Sequence, residues 1–195
     1  LLQRGLLSAA STTNAWVITG GTSSGVMKLV GKMMSQSALD VPCIGIASWG
    51  IVADSERMAE RSGRVLEYGG RTDLASARVA LDPNHSHFLL VDSGHTGKDA
   101  FGKEIGLRAD FENYICEHAF GVDSDGVPLP KPPMVLLVVG GGPGTLSTIR
   151  ACMENSRPVV VFVESGGVAR QLREYWDMRA KLAAGGGGDA AGGTQ

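Results

Sequence analysis

The stretch "MVLLVVGGGPGTLSTI", residues 134 to 149, decides the fold. Six apolar residues, the length of a strand, end on three glycines, a proline and a fourth glycine, and a helical pattern follows at once. Glycine loses more conformational freedom on folding than any other residue, so a turn this rich in it is one where the backbone must bend tightly or approach something closely. A strand running through a glycine turn into a helix is the repeating unit of a parallel α/β sheet. The same order recurs in "AWVITGGTSSG" (15 to 25) and in "VVVFVESGG" (159 to 167), and two further apolar runs, "CIGIA" (43 to 47) and "HFLLV" (87 to 91), complete a set of five. Runs that are apolar at successive positions suit strands buried on both faces.

Helical patterns fill the gaps. Val26, Leu29, Val30, Met33 and Met34 recur at helical spacing after the first run. Between Glu104 and Ala119, Ile105, Arg108, Phe111, Glu112 and Ile115 divide into an apolar and a polar stripe. Leu146, Ile149, Ala151, Cys152 and Met153 lead to Asn155, and the pattern stops before Pro158. "VARQLREYWDMRAKLAA" (168 to 184) has good helix composition. The fold class is therefore α/β, a three-layer parallel sheet with helices on both faces. Two segments depart from the βα repeat. Residues 50 to 84 predict a short helix over Ser55 to Glu60 and an irregular hairpin, and "GVDSDGVPLPKPP" (121 to 133) predicts an exposed connector.

The totals narrow the function. The chain has 195 residues, a formal net charge of -2 and 43% hydrophobic content, with Lys and Arg scattered and not clustered. One domain spans 1–183, and no polyanion footprint argues for nucleic acid as a partner. Cys43, Cys116 and Cys152 are far apart in apolar surroundings, which fits a reducing compartment better than a disulfide framework. No apolar run reaches the eighteen or so residues of a membrane helix, so these residues do not insert directly into a bilayer. "LLQRGLLSAASTT" at the start reads as a helix from inside a longer chain, not as a signal peptide. The glycine-rich 184–195 reads as a disordered tail.

The glycine turns carry the chemistry. In open α/β sheets, ligands bind beyond the carboxyl ends of the strands, where amides at helix starts offer unpaired donors and a partial positive charge. A phosphate oxygen can reach a main-chain N–H only where no Cβ blocks it, and Thr22, Ser23, Ser24 and Thr145 add hydroxyls. Each turn taken alone serves equally well as a tight strand-to-helix connection; several at one edge favour a ligand. Walker A fails because Val26 follows Gly25, and the G-x-G-x-x-G fingerprint fails because Thr145 occupies its sixth position, so neither ATP hydrolysis nor dinucleotide redox chemistry is supported. His85, His87 and His95 lack the frame of a zinc site and read as polar residues ordering the start of a strand and lining a pocket mouth, with no metal expected. Asp54, Asp73 and Asp92 read as turn-formers, Cys43 and Cys152 as core, and "SWG" (48 to 50) as a packing aromatic.

Five blocks in this order, "AWVITGGTSSGVMKLVG" (15 to 31), "IGIASWGIV" (44 to 52), "DPNHSHFLLVDSG" (82 to 94), "FGKEIGLRADFENYI" (101 to 115) and "VLLVVGGGPGTLSTI" (135 to 149), resemble the N-terminal homology region of TRPM channels, the melastatin-type transient receptor potential family. The resemblance covers about residues 4 to 175. It implies a Rossmann-like SLOG domain, related to LOG proteins, on the cytoplasmic face of a membrane in a cation channel. It implies a first strand ahead of the opening helix that this sequence does not include, and as partners the rest of the channel chain and neighbouring subunits of a homotetramer. In the adenine-nucleotide-gated branch the domain binds ADP-ribose, with no further cofactor. The resemblance then assigns Gly20, Gly21, Thr22 and Ser24 to the first ligand-binding turn and Arg108 to a phosphate contact. It assigns Gly141, Gly142, Pro143, Gly144 and Thr145 to the second turn. Phe101 stands where ADP-ribose-binding members have a tyrosine, so a hydroxyl contact is lost while stacking remains. Gly167 stands where a further arginine contacts the ligand, and Arg170 lies one helical turn on.

LOG-type proteins hydrolyse nucleoside monophosphates with a catalytic glutamate directly after such a glycine loop. Here Leu146, Ser147, Thr148 and Ile149 follow, so the loop is present without its acid, and catalysis is not expected. The alternatives are a LOG-type nucleotide N-glycosidase and a structural assembly module with no ligand.

Overall fold

The computed structural model describes residues 2–37, 41–61, 63–118 and 120–185. The chain divides into two compact units, residues 1–110 and residues 111–195.

In the first unit, α1 (Leu2–Thr13), β1 (Val17–Thr19), α2 (Gly25–Ser35), β2 (Cys43–Ser48), α3 (Ser55–Glu60) and β3 (His87–Val91) follow in order. The strands pair in the order β1-β2-β3, all parallel, with Val17 opposite Cys43 and Ile44 opposite His87. Val30 and Met34 of α2 pack on Cys43, and Leu6 and Leu7 of α1 and Val17 of β1 close over them. A second cluster joins Ala47 and Val52 to Leu81, with Met58, Tyr68 and Leu90 around it. The long excursion between β2 and β3 returns to the sheet instead of hanging free. Val79 pairs with Val52 and Leu81 with Thr22, and the Tyr68 hydroxyl donates to Ala53 O and accepts from Leu81 N, each at 3.1 Å. The short helix lies where the sequence predicts it, and Asp73 and Arg78 form the expected irregular hairpin. Asp54, with φ +59°, opens α3; Asp73 and Asp92 accept from the amides two residues on, which confirms all three as turn-formers.

α4 (Ile105–Glu117) runs across the division. The second unit continues with β4 (Leu136–Val139), α5 (Pro143–Glu154), β5 (Val159–Phe162) and α6 (Gly167–Gly185). β4 and β5 pair in parallel, with Leu136 opposite Val159. Leu136 and Val138 pack on Ile149 and Cys152 of α5 and on Val168 and Ala169 of α6. All five expected strands are present, all pair in parallel and helices flank them; the ladders are one of three strands and one of two.

Two expectations are corrected. The runs at β3, β4 and β5 do not bury both faces: Phe88 and Leu89 of β3 and Val160 of β5 are exposed, and in β4 Leu136 and Val138 are buried while Leu137 between them is exposed, because α5 and α6 cover only the even-numbered side of that strand. On α4, Glu112 does not lie on a polar outer stripe; it is buried, on the side of Cys152, whose thiol is pushed up first by burial and then by the Glu112 charge. α6 extends through Ala184 and Gly185, and the rest of the expected tail lies outside the described residues.

Candidate functional site

The first glycine turn leaves β1 at the carboxyl edge of the three-stranded sheet. Gly21 is buried with φ +68°, and a Cβ there would stand 2.6 Å from Gly45 Cα and 3.2 Å from the Phe88 ring. Only glycine fits, on conformation and on space alike. The turn is tied down on both sides. Gly21 N–H donates to Thr19 Oγ1 at 2.9 Å and Gly21 O accepts from Asp82 N at 2.8 Å. Ser23 N–H donates to Ala80 O at 2.7 Å and Ser24 N–H to Thr22 O at 2.8 Å. Thr22 is buried, and its hydroxyl pairs with that of Ser24 at 3.0 Å.

These bonds change which amides are available. The turn's own N–H groups at Gly21, Ser23 and Ser24 are engaged internally, whereas Ser24, the residue capping α2, makes no side-chain hydrogen bond to the helix's first turn. The first turn of an α-helix has amides with no partner inside the helix. In α2 these belong to Gly25, Val26 and Met27, and no acidic side chain lies among them.

The start of α4 is tied to the same edge. Ser48 ends β2, and its hydroxyl donates to Glu104 Oε2 at 2.9 Å, which fixes the start of α4. Arg108, half-buried, follows one turn later, its amide donating to Glu104 O at 2.9 Å. Phe101 is half-exposed on the turn between Gly97–Ala100 and α4.

In the second unit, the turn after β4 is held by the turn after β5. Gly140 N–H donates to Ser165 Oγ at 2.6 Å, and Val168 N and Ala169 N donate to Gly141 O and Gly140 O at 3.1 and 3.0 Å. Thr145 caps its own helix start: its Oγ1 accepts from Gly142 N at 3.2 Å, while its amide donates to Gly142 O at 2.9 Å. Gly141, Gly142, Pro143 and Gly144 are solvent-exposed, and Pro143 opens α5, where its missing N–H is no loss. Gly167 has φ +53°, and a Cβ there would lie 2.5 Å from Gly141 O. An arginine at 167 therefore has no room in this backbone, so the departure from the ADP-ribose-binding pattern is built into the turn. Arg170 is exposed on the first turns of α6.

The histidines do not converge, and no cluster of metal-ligating side chains occurs among the described residues. His87 pairs with Ser86 Oγ and His95 with Ser93 O, but His85 is buried behind the first glycine turn, between Asp82 and Thr19. It sits at the start of β3 inside the core, so it does not line the expected pocket mouth. Cys43 is buried beside this group and its thiol is pushed up to about 11, first by burial and second by Asp82. Sequence reasoning missed Thr19 and Asp82. "DPN" at 82 to 84 signals a turn, and Asn84 N does donate to Asp82 Oδ1 at 3.1 Å, but nothing local points to Thr19.

Parallel strands that pass through glycine turns into flanking helices define a Rossmann-like α/β domain. Residues 1–177 match the family described as SLOG in TRPM, and the chain belongs to that family. It is 41% identical over 177 residues to the transient receptor potential cation channel subfamily M member-like 2 of Nematostella vectensis, covering 87% of this chain and 11% of that protein. It is 40% identical over 181 residues to subfamily M member 2 of Rattus norvegicus, covering 87% of this chain and 11% of the relative. With subfamily M member 7 of Homo sapiens the identity is 36% over 181 residues, 90% of this chain and 9% of the relative. The chain thus spans about a tenth of the length of these channel proteins. Among the described residues no helix is long and apolar enough to cross a membrane.

Proposed function

We propose that this domain is a non-catalytic nucleotide sensor of a TRPM-type cation channel, binding an ADP-ribose-like ligand at the cytoplasmic face of the membrane and biasing the gate of a homotetramer. In the first unit the diphosphate takes the free amides of Gly25, Val26 and Met27, with Arg108 as a bidentate partner. Phe101 supplies a face for stacking. The exposed turn at Gly141–Thr145 is a phosphate-binding element of the second unit, assessed on its own.

The observation that carries this reading is the start of α2. A helix start that lacks both a side-chain cap and an acidic residue keeps its donors and its positive end for an external anion. The relatives named as TRPM channels, one of them subfamily M member 2, supply the channel setting.

Calorimetry against ADP-ribose, cyclic ADP-ribose, AMP and NAD tests the proposal. Binding of ADP-ribose that weakens at least tenfold in Arg108→Ala supports it. Absence of heat from every ligand overturns it in favour of an assembly module, and release of free base from nucleoside monophosphates overturns it in favour of a LOG-type glycosidase. Gating is tested by recording from the full-length channel with and without Arg108→Ala, where equal responses to ADP-ribose would remove this domain from the gating step.

A further inference from the structure

Behind the first glycine turn four hydrogen bonds close into a ring. Gly21 N–H donates to Thr19 Oγ1 at 2.9 Å, Thr19 Oγ1 meets His85 Nε2 at 2.7 Å, His85 Nδ1 meets Asp82 Oδ1 at 3.2 Å, and Asp82 N–H returns to Gly21 O at 2.8 Å. The His85 and Asp82 side chains are 0% and 1% exposed. Phe88 covers the imidazole at a ring distance of 5.8 Å, and Gly31 of α2 lies so close that a Cβ would run into the Asp82 carboxylate.

Hydroxyl, imidazole and carboxylate in this order match the plan of a nucleophilic triad. The surroundings argue against attack. The Thr19 oxygen already accepts an amide proton, and the imidazole has no exposed edge from which a proton could be passed to a leaving group. What the ring does instead is fix direction. With Nδ1–H donated to Asp82, Nε2 becomes an acceptor and takes the Thr19 O–H, which leaves the hydroxyl's lone pairs for Gly21 N–H. Every donor in the ring then has one acceptor, and both polar groups of Gly21 are held.

We infer that Thr19, His85 and Asp82 are positioning residues of the phosphate-binding turn: their buried relay holds Gly21, and thereby sets where the α2 amides meet the ligand. This rests on the reading of the first turn as a phosphate site. It also explains why a carboxylate and an imidazole are kept in the core of a small unit, where an unpaired polar group is costly. Substituting Thr19 breaks the ring at its most exposed member and leaves the core packing of His85 and Asp82 in place.

The test uses the isotopically labelled chain, with ADP-ribose as probe. In the wild type, nitrogen NMR should show His85 protonated on Nδ1, and the Gly21 amide should exchange slowly with solvent. Thr19→Val keeps the shape and should abolish Gly21 protection and weaken ADP-ribose about tenfold, the scale of one lost hydrogen bond. Thr19→Ser should restore both to within about twofold of wild type. His85→Gln should resemble Thr19→Val at Gly21, and the unfolding midpoint of each variant identifies any that has lost its fold. Equal behaviour of Thr19→Val and Thr19→Ser overturns the relay, as does Thr19→Val binding ADP-ribose like wild type while the wild type binds it well. If the wild type itself binds no ADP-ribose, the sensor proposal fails, and Gly21 exchange in the two Thr19 variants alone decides whether the relay holds the turn.

Discussion

Replacing Gly31 by alanine sets two well-calibrated effects against each other. Gly31 lies inside α2, where alanine in place of glycine ordinarily stabilises a helix by about 1 kcal/mol. Its Cβ, however, would be driven into Asp82 Oδ1 and would lie 2.9 Å from Asp82 Cγ and 3.2 Å from His85 Nδ1. The carboxylate cannot step aside freely, because it is 1% exposed and Oδ1 already accepts from Asn84 N at 3.1 Å and meets His85 at 3.2 Å. Overpacking a filled core costs about 1 to 3 kcal/mol, and one lost hydrogen bond to a carboxylate about 1.5 to 3 kcal/mol. After the helix gain is subtracted, Gly31→Ala should destabilise the chain by about 1.5 to 5 kcal/mol.

Equilibrium unfolding in urea, followed by circular dichroism, measures this directly as a lower midpoint at unchanged slope. A cycle with Asp82→Ala isolates the cause. If the clash is with the carboxylate, the double variant should fall short of the sum of the singles by about 1 kcal/mol or more. A Gly31→Ala protein as stable as wild type, or an additive cycle, would refute the buried packing of α2 on the relay.

Three further outcomes follow from single positions. Gly167→Arg should lower the unfolding midpoint and bring no gain in ADP-ribose affinity, because a left-handed non-glycine residue costs about 1 to 2 kcal/mol and the Cβ would lie 2.5 Å from Gly141 O; a tighter-binding, equally stable variant would contradict it. Phe101→Tyr restores one hydroxyl and should strengthen ADP-ribose binding by about tenfold at most, read by calorimetry. The Cys43 thiol is pushed up to about 11 against an ordinary 9.0, so above pH 9 it ionises first in the unfolded chain. Stability should therefore hold below pH 9 and fall by roughly 1.4 kcal/mol per unit between pH 9 and 11, and Cys43→Ala should flatten that slope in unfolding measured across the range.

The framework was legible because it rests on local signals. Apolar runs fixed the five strands, and glycine after a strand fixed where the turns fall. The relay was not legible, since Thr19 and His85 lie 66 positions apart and meet only because β1 and the turn before β3 both abut β2. Glu112 was misplaced for a related reason. Helical periodicity assigns a charged residue to the outside, and it cannot register that Cys152 and Arg157, whose charge acts on the same thiol, lie on its inner side. The glycines at 31 and 45 gave no signal of their own, because what excludes a side chain there is an Asp82 carboxylate and a Gly21 backbone brought in by the tertiary fold.

On the proposed reading, the helix starts favour binding a nucleotide over cleaving it. α3 places Glu56 in its first turn, whereas α2 and α5, the helices entered from the first two glycine turns, have no acidic residue in theirs. An acid at such a position satisfies the positive end of its own helix and competes with an external anion for the same amides. Leu146, 48% exposed directly after Thr145, stands where the resemblance to LOG-type proteins would place a catalytic glutamate. On the proposed reading, an apolar side chain there sets no negative charge against a bound phosphate and supplies nothing that could polarise a water, while the Gly140, Gly142 and Thr145 amides are already engaged within the turn.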